Sequence, residues 1–280
     1  MSEKNFDWDV TDYTDPQCPF CTDAYKEDAV KPIDVRRVIE KLDAYLSRND
    51  FSQAERHLAY WVEEAKIGND ERGEFSLREE QMGLFRKLGK KEEAFAAAAR
   101  ALFLAKKLDI GSSVGAATAY LNAATVYKAF GQAEKAIPLF EEAKAIYEKN
   151  LDDADERLAG LYNNFALALA DLKRFEEARV CYALALEIIG KTPGGEPEEA
   201  ITELNLASLA EAEKGLDGGA EEIEAHLERA EKLLKKEGLK KDGNYAFVAE
   251  KCASVFDYYG WFMTAAELKA ESKRIYGEAK

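Results

Sequence analysis

The sequence predicts an all-α fold, a solenoid of about six stacked helical hairpins, and three observations predict it. A short phrase recurs: Asn49-Asp50-Phe51-Ser52-Gln53-Ala54, Gly89-Lys90-Lys91-Glu92-Glu93-Ala94, Gly131-Gln132-Ala133-Glu134-Lys135-Ala136 and Lys173-Arg174-Phe175-Glu176-Glu177-Ala178. The closing alanines are spaced by 40, 42 and 42 residues, and a fixed period of this size is the signature of a stacked helical array. Hydrophobic residues make up 47% of the 280, enough for a continuous core in which each unit buries its apolar face only against its neighbours. Prolines number only 6, and an interior rich in Ala, Leu, Glu and Lys favours helix nearly throughout.

Residues 1–32 read as a separate, irregular N-terminal arm carrying many aspartates, Pro16, Pro32 and the run Cys18-Pro19-Phe20-Cys21. The array is expected over 33–280, in units 33–68, 70–108, 113–150, 154–190, 197–237 and 243–278. The helices predicted for the six units are 34–48 and 51–67, 71–88 and 91–108, 113–130 and 132–149, 154–173 and 175–189, 198–214 and 220–236, 244–259 and 262–276. Gly111-Ser112-Ser113 and Pro193-Gly194-Gly195 cannot continue a helix cheaply. Ser113 and Asp153 are expected as N-caps. Leu216-Asp217-Gly218-Gly219 lengthens the fifth turn by a few residues and breaks the period there. Pro138 is tolerable if it falls near the first turn of its helix, where its missing N–H is not needed.

A net charge of −15 repels phosphate backbones and speaks against nucleic acid as a partner. A basic or apolar peptide fits that field better, and the same charge also keeps an alanine-rich array soluble. No stretch approaches the ~20 apolar residues of a membrane helix, and the acidic start, Met1 to Asp9, lacks an apolar leader core. The expected location is cytoplasmic, with no membrane partner. Nucleophile elbow, phosphate loop, metalloprotease helix and kinase signatures are all missing from the sequence. The chain is therefore read as a non-enzyme without cofactor.

The small residues carry a family resemblance. Ala124, Ala136 and Ala143 in the third unit, and Ala166, Ala178 and Ala185 in the fourth, stand where two helices must cross closely. Phe51, Phe175 and Phe262 precede the early alanine position by three residues, and Tyr120 and Tyr162 open first helices. This pattern resembles the tetratricopeptide repeat (TPR) over roughly residues 34–278. The period is longer than the ~34 of the basic repeat and is similar to that of kinesin light chain arrays and of bacterial peptide-sensing regulators of the Rap type. Tyr162-Asn163-Asn164-Phe165-Ala166 carries that likeness most strongly. The resemblance implies a right-handed superhelix whose first helices line a concave groove, and partner binding without chemistry.

Within that register, Asn122, Asn164 and Asn205 form a ladder of one phrase, Asn-x-Ala, spaced by 42 and 41 residues. An amide both donates and accepts, so a row of amides can pair with the backbone of an extended peptide. The alternative is a solvated polar residue beside a core alanine. The same face is expected to show Thr118, Thr125 and Ala129, then Asn163, Leu167 and Asp171, then Ser208. Glu80 and Lys251 hold the ladder's register in units two and six, making one arm of the groove acidic and the other basic. Family members that clamp a C-terminal carboxylate use Lys, Arg and Asn; here those positions are Thr118, Leu121, Gly160 and Asn163, which speaks against that ligand.

Cys18 and Cys21 are half a zinc site or a dithiol by spacing, but no thioredoxin-like context surrounds them, and an ordinary turn with two thiols is the plainer reading. Cys181 and Cys252 read as core. The cluster Tyr258, Tyr259, Trp261, Phe262 and Met263 either caps the array's end or makes a homodimer contact, with Phe262 expected in the core. The leading expectation is a protein- or peptide-binding scaffold. The alternatives are a self-assembling adaptor whose groove is empty or arm-filled, and a zinc or redox sensor at Cys18 and Cys21.

Overall fold

The computed structural model of the protein describes residues 30–278. Among them are twelve α-helices and no strand. They run α1 (Val35–Leu46), α2 (Phe51–Ile67), α3 (Glu71–Lys87), α4 (Lys91–Lys107), α5 (Val114–Ala129), α6 (Ala133–Asn150), α7 (Glu156–Asp171), α8 (Phe175–Ile189), α9 (Glu196–Gly218), α10 (Ala220–Leu234), α11 (Gly243–Tyr258) and α12 (Phe262–Glu278). Taken two at a time these are six hairpins, so the fold is the all-α array of about six repeats. The chain divides into two compact units, Met1–Gln132 and Ala133–Lys280. The arm with Cys18 and Cys21 lies outside the described residues.

The turns inside the hairpins share one construction. Asn49, Gly89, Gly131, Lys173 and Gly260 all have positive φ. In each case the next residue's N–H reaches back five positions, as in Asp50 to Tyr45, Lys90 to Phe85 and Arg174 to Leu169, all at 2.9 Å. This is the helix-ending motif in which one left-handed residue lets the chain satisfy its last carbonyls and reverse. Gly131 meets its φ of 73° at no steric cost, whereas Lys173 holds φ 59° with a Cβ in place.

The closing alanines of the recurrent phrase are the packing contacts. Ala54, Ala94, Ala136 and Ala178 are all 0% exposed. At these points a single methyl group is all that separates the second helix from its surroundings, so backbones approach closely. In the first unit Val38 and Leu42 of α1 pack with Ala54, Leu58 and Val62 of α2 and Leu77 and Leu84 of α3. In the second unit one core gathers Leu204, Ala207, Leu227, Ala230, Val248, Phe256, Ala265 and Leu268 from α9 to α12.

The fifth hairpin keeps the period up to Gly215 (φ 75°) and then loses it. Leu216 to Gly218 make an extra turn, and Gly219 caps α10. In consequence the period-spaced Ala220 is exposed, and Ile223, three residues on, takes the buried position.

Several expectations are corrected. Asp155, not Asp153, caps α7, accepting from the Arg157 backbone N–H at 3.0 Å. Ser113 does cap α5. Pro138 lies in the second turn of α6 rather than the first, so the Glu134 carbonyl lacks its intrahelical donor. Both residues are exposed, which leaves that carbonyl to water. Phe262 is not core: it is 66% exposed, and Trp261 packs on the core in its place, 5.5 Å from the Phe256 ring. Phe262 is the first residue of α12.

Two variants test these contacts by urea denaturation. Ala178→Leu inserts three carbons where the helix crossing is closest and is expected to destabilise by roughly 1–3 kcal/mol. Lys173→Gly relieves a left-handed Cβ and is expected to stabilise by about 0.5–1 kcal/mol; unchanged or reduced stability would show that the turn carries no such strain.

Candidate functional site

Within each unit the first helices lie side by side. In the first unit α3 packs on α1 and α5, and in the second α9 packs on α7 and α11. Residues one repeat apart in sequence therefore become neighbours on a common face.

In the first unit this face holds a cleft of about 300 Å³ between α3 and α5. It is lined by Glu79, Glu80, Met82, Gly83 and Arg86 from α3, and by Thr118, Asn122, Thr125 and Val126 from α5. The hydroxyls of Thr118 and Thr125 donate to carbonyls of their own helix, Val114 at 3.1 Å and Leu121 at 2.8 Å, which leaves the Thr125 oxygen to accept from a ligand. Asn122 donates to the Glu79 carboxylate. The other Glu79 oxygen, Oε1, is fully buried and has no hydrogen-bond partner. Burial raises the Glu79 carboxyl to about 7, the neighbouring Glu80 charge adds to the rise, and the Asn122 bond opposes it. Glu80 is raised by its own burial and by Asp43 of α1.

In the second unit a cleft of about 290 Å³ lies beside the N-terminal ends of α7, α9 and α11. Asn163 donates to Thr202 Oγ1 at 2.9 Å, Thr202 donates to the Glu198 carbonyl at 3.0 Å, and Asn244 donates to Glu198 Oε1 at 2.8 Å. The Asn163 Oδ1 oxygen is buried without a donor.

The ladder asparagines share one packing register and half-buried positions but differ in what they bind. Asn122 joins Glu80, Thr118 and Thr125 in the first cleft. Asn164 donates to the Gly160 carbonyl of its own helix at 2.8 Å, and Asn205 has no side-chain partner among the described residues. Leu167 is half-buried, while Asp171 and Ala129 are exposed. Ser208 donates to the Leu204 carbonyl at 3.2 Å. Lys251 sits 4.2 Å over the Phe247 ring. Glu79 is the residue the sequence reading missed; the one signal for it is its place beside Glu80.

The remaining candidates sort by burial. Cys181 and Cys252 are buried free thiols, and burial pushes Cys252 up to about 12, which makes it a poor thiolate source. Among the described residues no three His, Cys, Asp or Glu side chains are grouped to hold a metal ion. No described helix is long and apolar enough to cross a membrane.

A family model described as tetratricopeptide repeat matches residues 82–149, and a second of the same description matches 158–192. These two stretches match the tetratricopeptide repeat. The TPR hairpins carry the match through α3 to α8. No curated protein matches the chain. Among solved structures it is similar to the nearly identical TPR-like repeats of a candidate kinesin light chain of Podosopora anserina, with 19% identity and a TM-score of 0.50 over 72% of this chain and 95% of that one. A single-residue variant of that protein matches with 19% identity and a TM-score of 0.51 over 72% and 94%. BtubC (BKLC) from P. vanneervenii matches with 22% identity and a TM-score of 0.47 over 89% and 93%. At these identities the likeness is one of fold.

The Glu79 carboxyl yields a pH prediction. Its folded value of about 7 lies above its ordinary 4.5, so the folded state holds this proton more tightly than the unfolded state. That contribution is complete below pH 4.5 and is lost as pH rises towards 7 and beyond. Glu79→Gln should therefore match wild type near pH 4 and be more stable at pH 8, by roughly 1–3 kcal/mol. Urea melts at both pH values decide it.

Proposed function

We propose that this TPR chain is a non-enzymatic scaffold that binds an extended segment of a partner protein along its first-helix faces. The repeat class supports the general reading, because stacked helical repeats present extended binding surfaces rather than reactive centres. The observation that carries the finer reading is the first cleft. Two consecutive first helices bring Glu80, Thr118, Asn122 and Thr125 into one recess, together with a buried carboxylate oxygen that lacks a partner. A peptide backbone offers what that recess lacks. Its N–H groups can donate to the Thr125 oxygen and to the Glu80 carboxylate, and its side chains can enter the cleft.

Affinity capture with the full chain, followed by titration of the captured partner, tests this. Asn122→Ala combined with Thr125→Ala should weaken binding at least tenfold while melting changes little. A Tyr258→Ala control, on the last hairpin, should bind as wild type. Equal affinity for wild type and the cleft variant would place the binding surface elsewhere.

A further inference from the structure

Two glutamates five residues apart on α3, Glu74 buried and Glu79 half-buried, are treated in opposite ways. Glu74 is 1% exposed, and its oxygens accept from Arg78 at 2.9 and 3.1 Å and from Arg100 at 2.5 and 3.0 Å. Its charge is met from within the protein, and these bonds hold its carboxyl below the usual range. Glu79 has one amide donor, from Asn122, and an Oε1 oxygen that is fully buried with nothing to accept from. No arginine or lysine of the described residues pairs with it. Arg86 lines the same cleft but is exposed and bonds to neither Glu79 nor Glu80.

We propose that the cleft between α3 and α5 takes the cationic side chain of a lysine or arginine in the bound segment, with Glu79 and Glu80 as its counter-charges. This rests on the peptide-binding reading above and adds the chemistry of one recognition pocket.

The cleft's shape and charge both fit. A partly buried carboxylate pair without a counter-charge is unfavourable, and a positive charge placed in the cleft beside it relieves that deficit. A neutral amide could donate there but would leave two neighbouring negative charges unmet. A carboxylate or phosphate would add a third. Met82 and Val126 lie beneath the cleft with almost no exposed surface, and the alkyl stem of a long basic side chain can cross over them while its head meets the carboxylates. A volume of about 300 Å³ holds such a stem and head together. The net charge of −15 draws basic segments towards the chain at long range. The raised Glu79 carboxyl is the mark of the missing counter-charge.

The test is a random ten-residue peptide library displayed on phage and panned on the immobilised full chain. Selected peptides are resynthesised and titrated calorimetrically at pH 7.5. We expect one position enriched in Lys or Arg. Replacing that residue by norleucine, which keeps the stem and removes the charge, should weaken binding at least tenfold. Glu79→Gln/Glu80→Gln should lose the same factor for the basic peptide and nothing for the norleucine peptide. That pattern is a double-mutant cycle that misfolding would not produce, and melting curves of the variant serve as the fold control. If peptides are selected without a basic position, or if norleucine and the double variant leave affinity unchanged, the cationic pocket is wrong and the peptide-binding reading stands. If no peptide is enriched over an unrelated helical protein, both fail.

Discussion

The structure depends on how closely two helices can approach at an alanine. Ala54, Ala94, Ala136 and Ala178 are fully buried where they meet their neighbours, and a methyl side chain permits close packing there. A short helix-to-helix distance lets each hairpin close against the next within its unit, and this sets α1, α3 and α5 in one row and α7, α9 and α11 in another. Residues separated by a whole repeat then come within reach of one ligand. The α3–α5 cleft, with Glu80 and Asn122 facing it from adjacent helices, is a product of small residues that lie elsewhere in the hairpins.

Buried charge marks the points where this apolar scheme is interrupted. Glu74 is enclosed by two arginines, and Glu203 accepts from Arg229 Nε at 2.8 Å and lies 2.6 Å from His226 Nδ1. Both are closed sets: Glu74 draws its partners from its own helix and from α4, and Glu203 draws both from α10. Glu203 stands where Tyr120 and Tyr162 stand in their hairpins, so a hydrogen-bonded cluster substitutes there for an aromatic ring. Glu79 differs from both in having a buried oxygen without a donor. A glutamate enclosed by guanidinium groups holds helices together, and Glu79 lines a cleft without such partners.

Most of the fold could be read from the sequence because it is written in residues that act locally. Each hairpin's turn needs a left-handed residue followed by a helix start, and Gly89, Gly131 and Gly260 supply the former directly. The early alanines needed only their spacing. What could not be read depended on neighbours far along the chain. Phe262 matches Phe51 and Phe175 in phrase, yet it is exposed, and the neighbouring Trp261 packs on the core in its place. Asn164 matches Asn122 in register, but a carbonyl one turn back occupies it, whereas Asn122 faces a glutamate on α3. Glu79 looks like an ordinary surface carboxylate in a run of charges. Only the packing of α5 against α3 buries its oxygen.

The fifth hairpin shows how the chain absorbs an edit. Three residues inserted after Gly215 are taken up as one extra turn before Gly219, and from Ile223 onward the buried positions of α10 resume in the order seen in α8. The register error does not propagate, because a hairpin's core is set by its own helix phase and not by its count from the chain's start. The segment from Leu216 to Gly218 is exposed throughout. It is thus a natural splice point, where a reporter or affinity sequence could be grafted without asking any helix to shift.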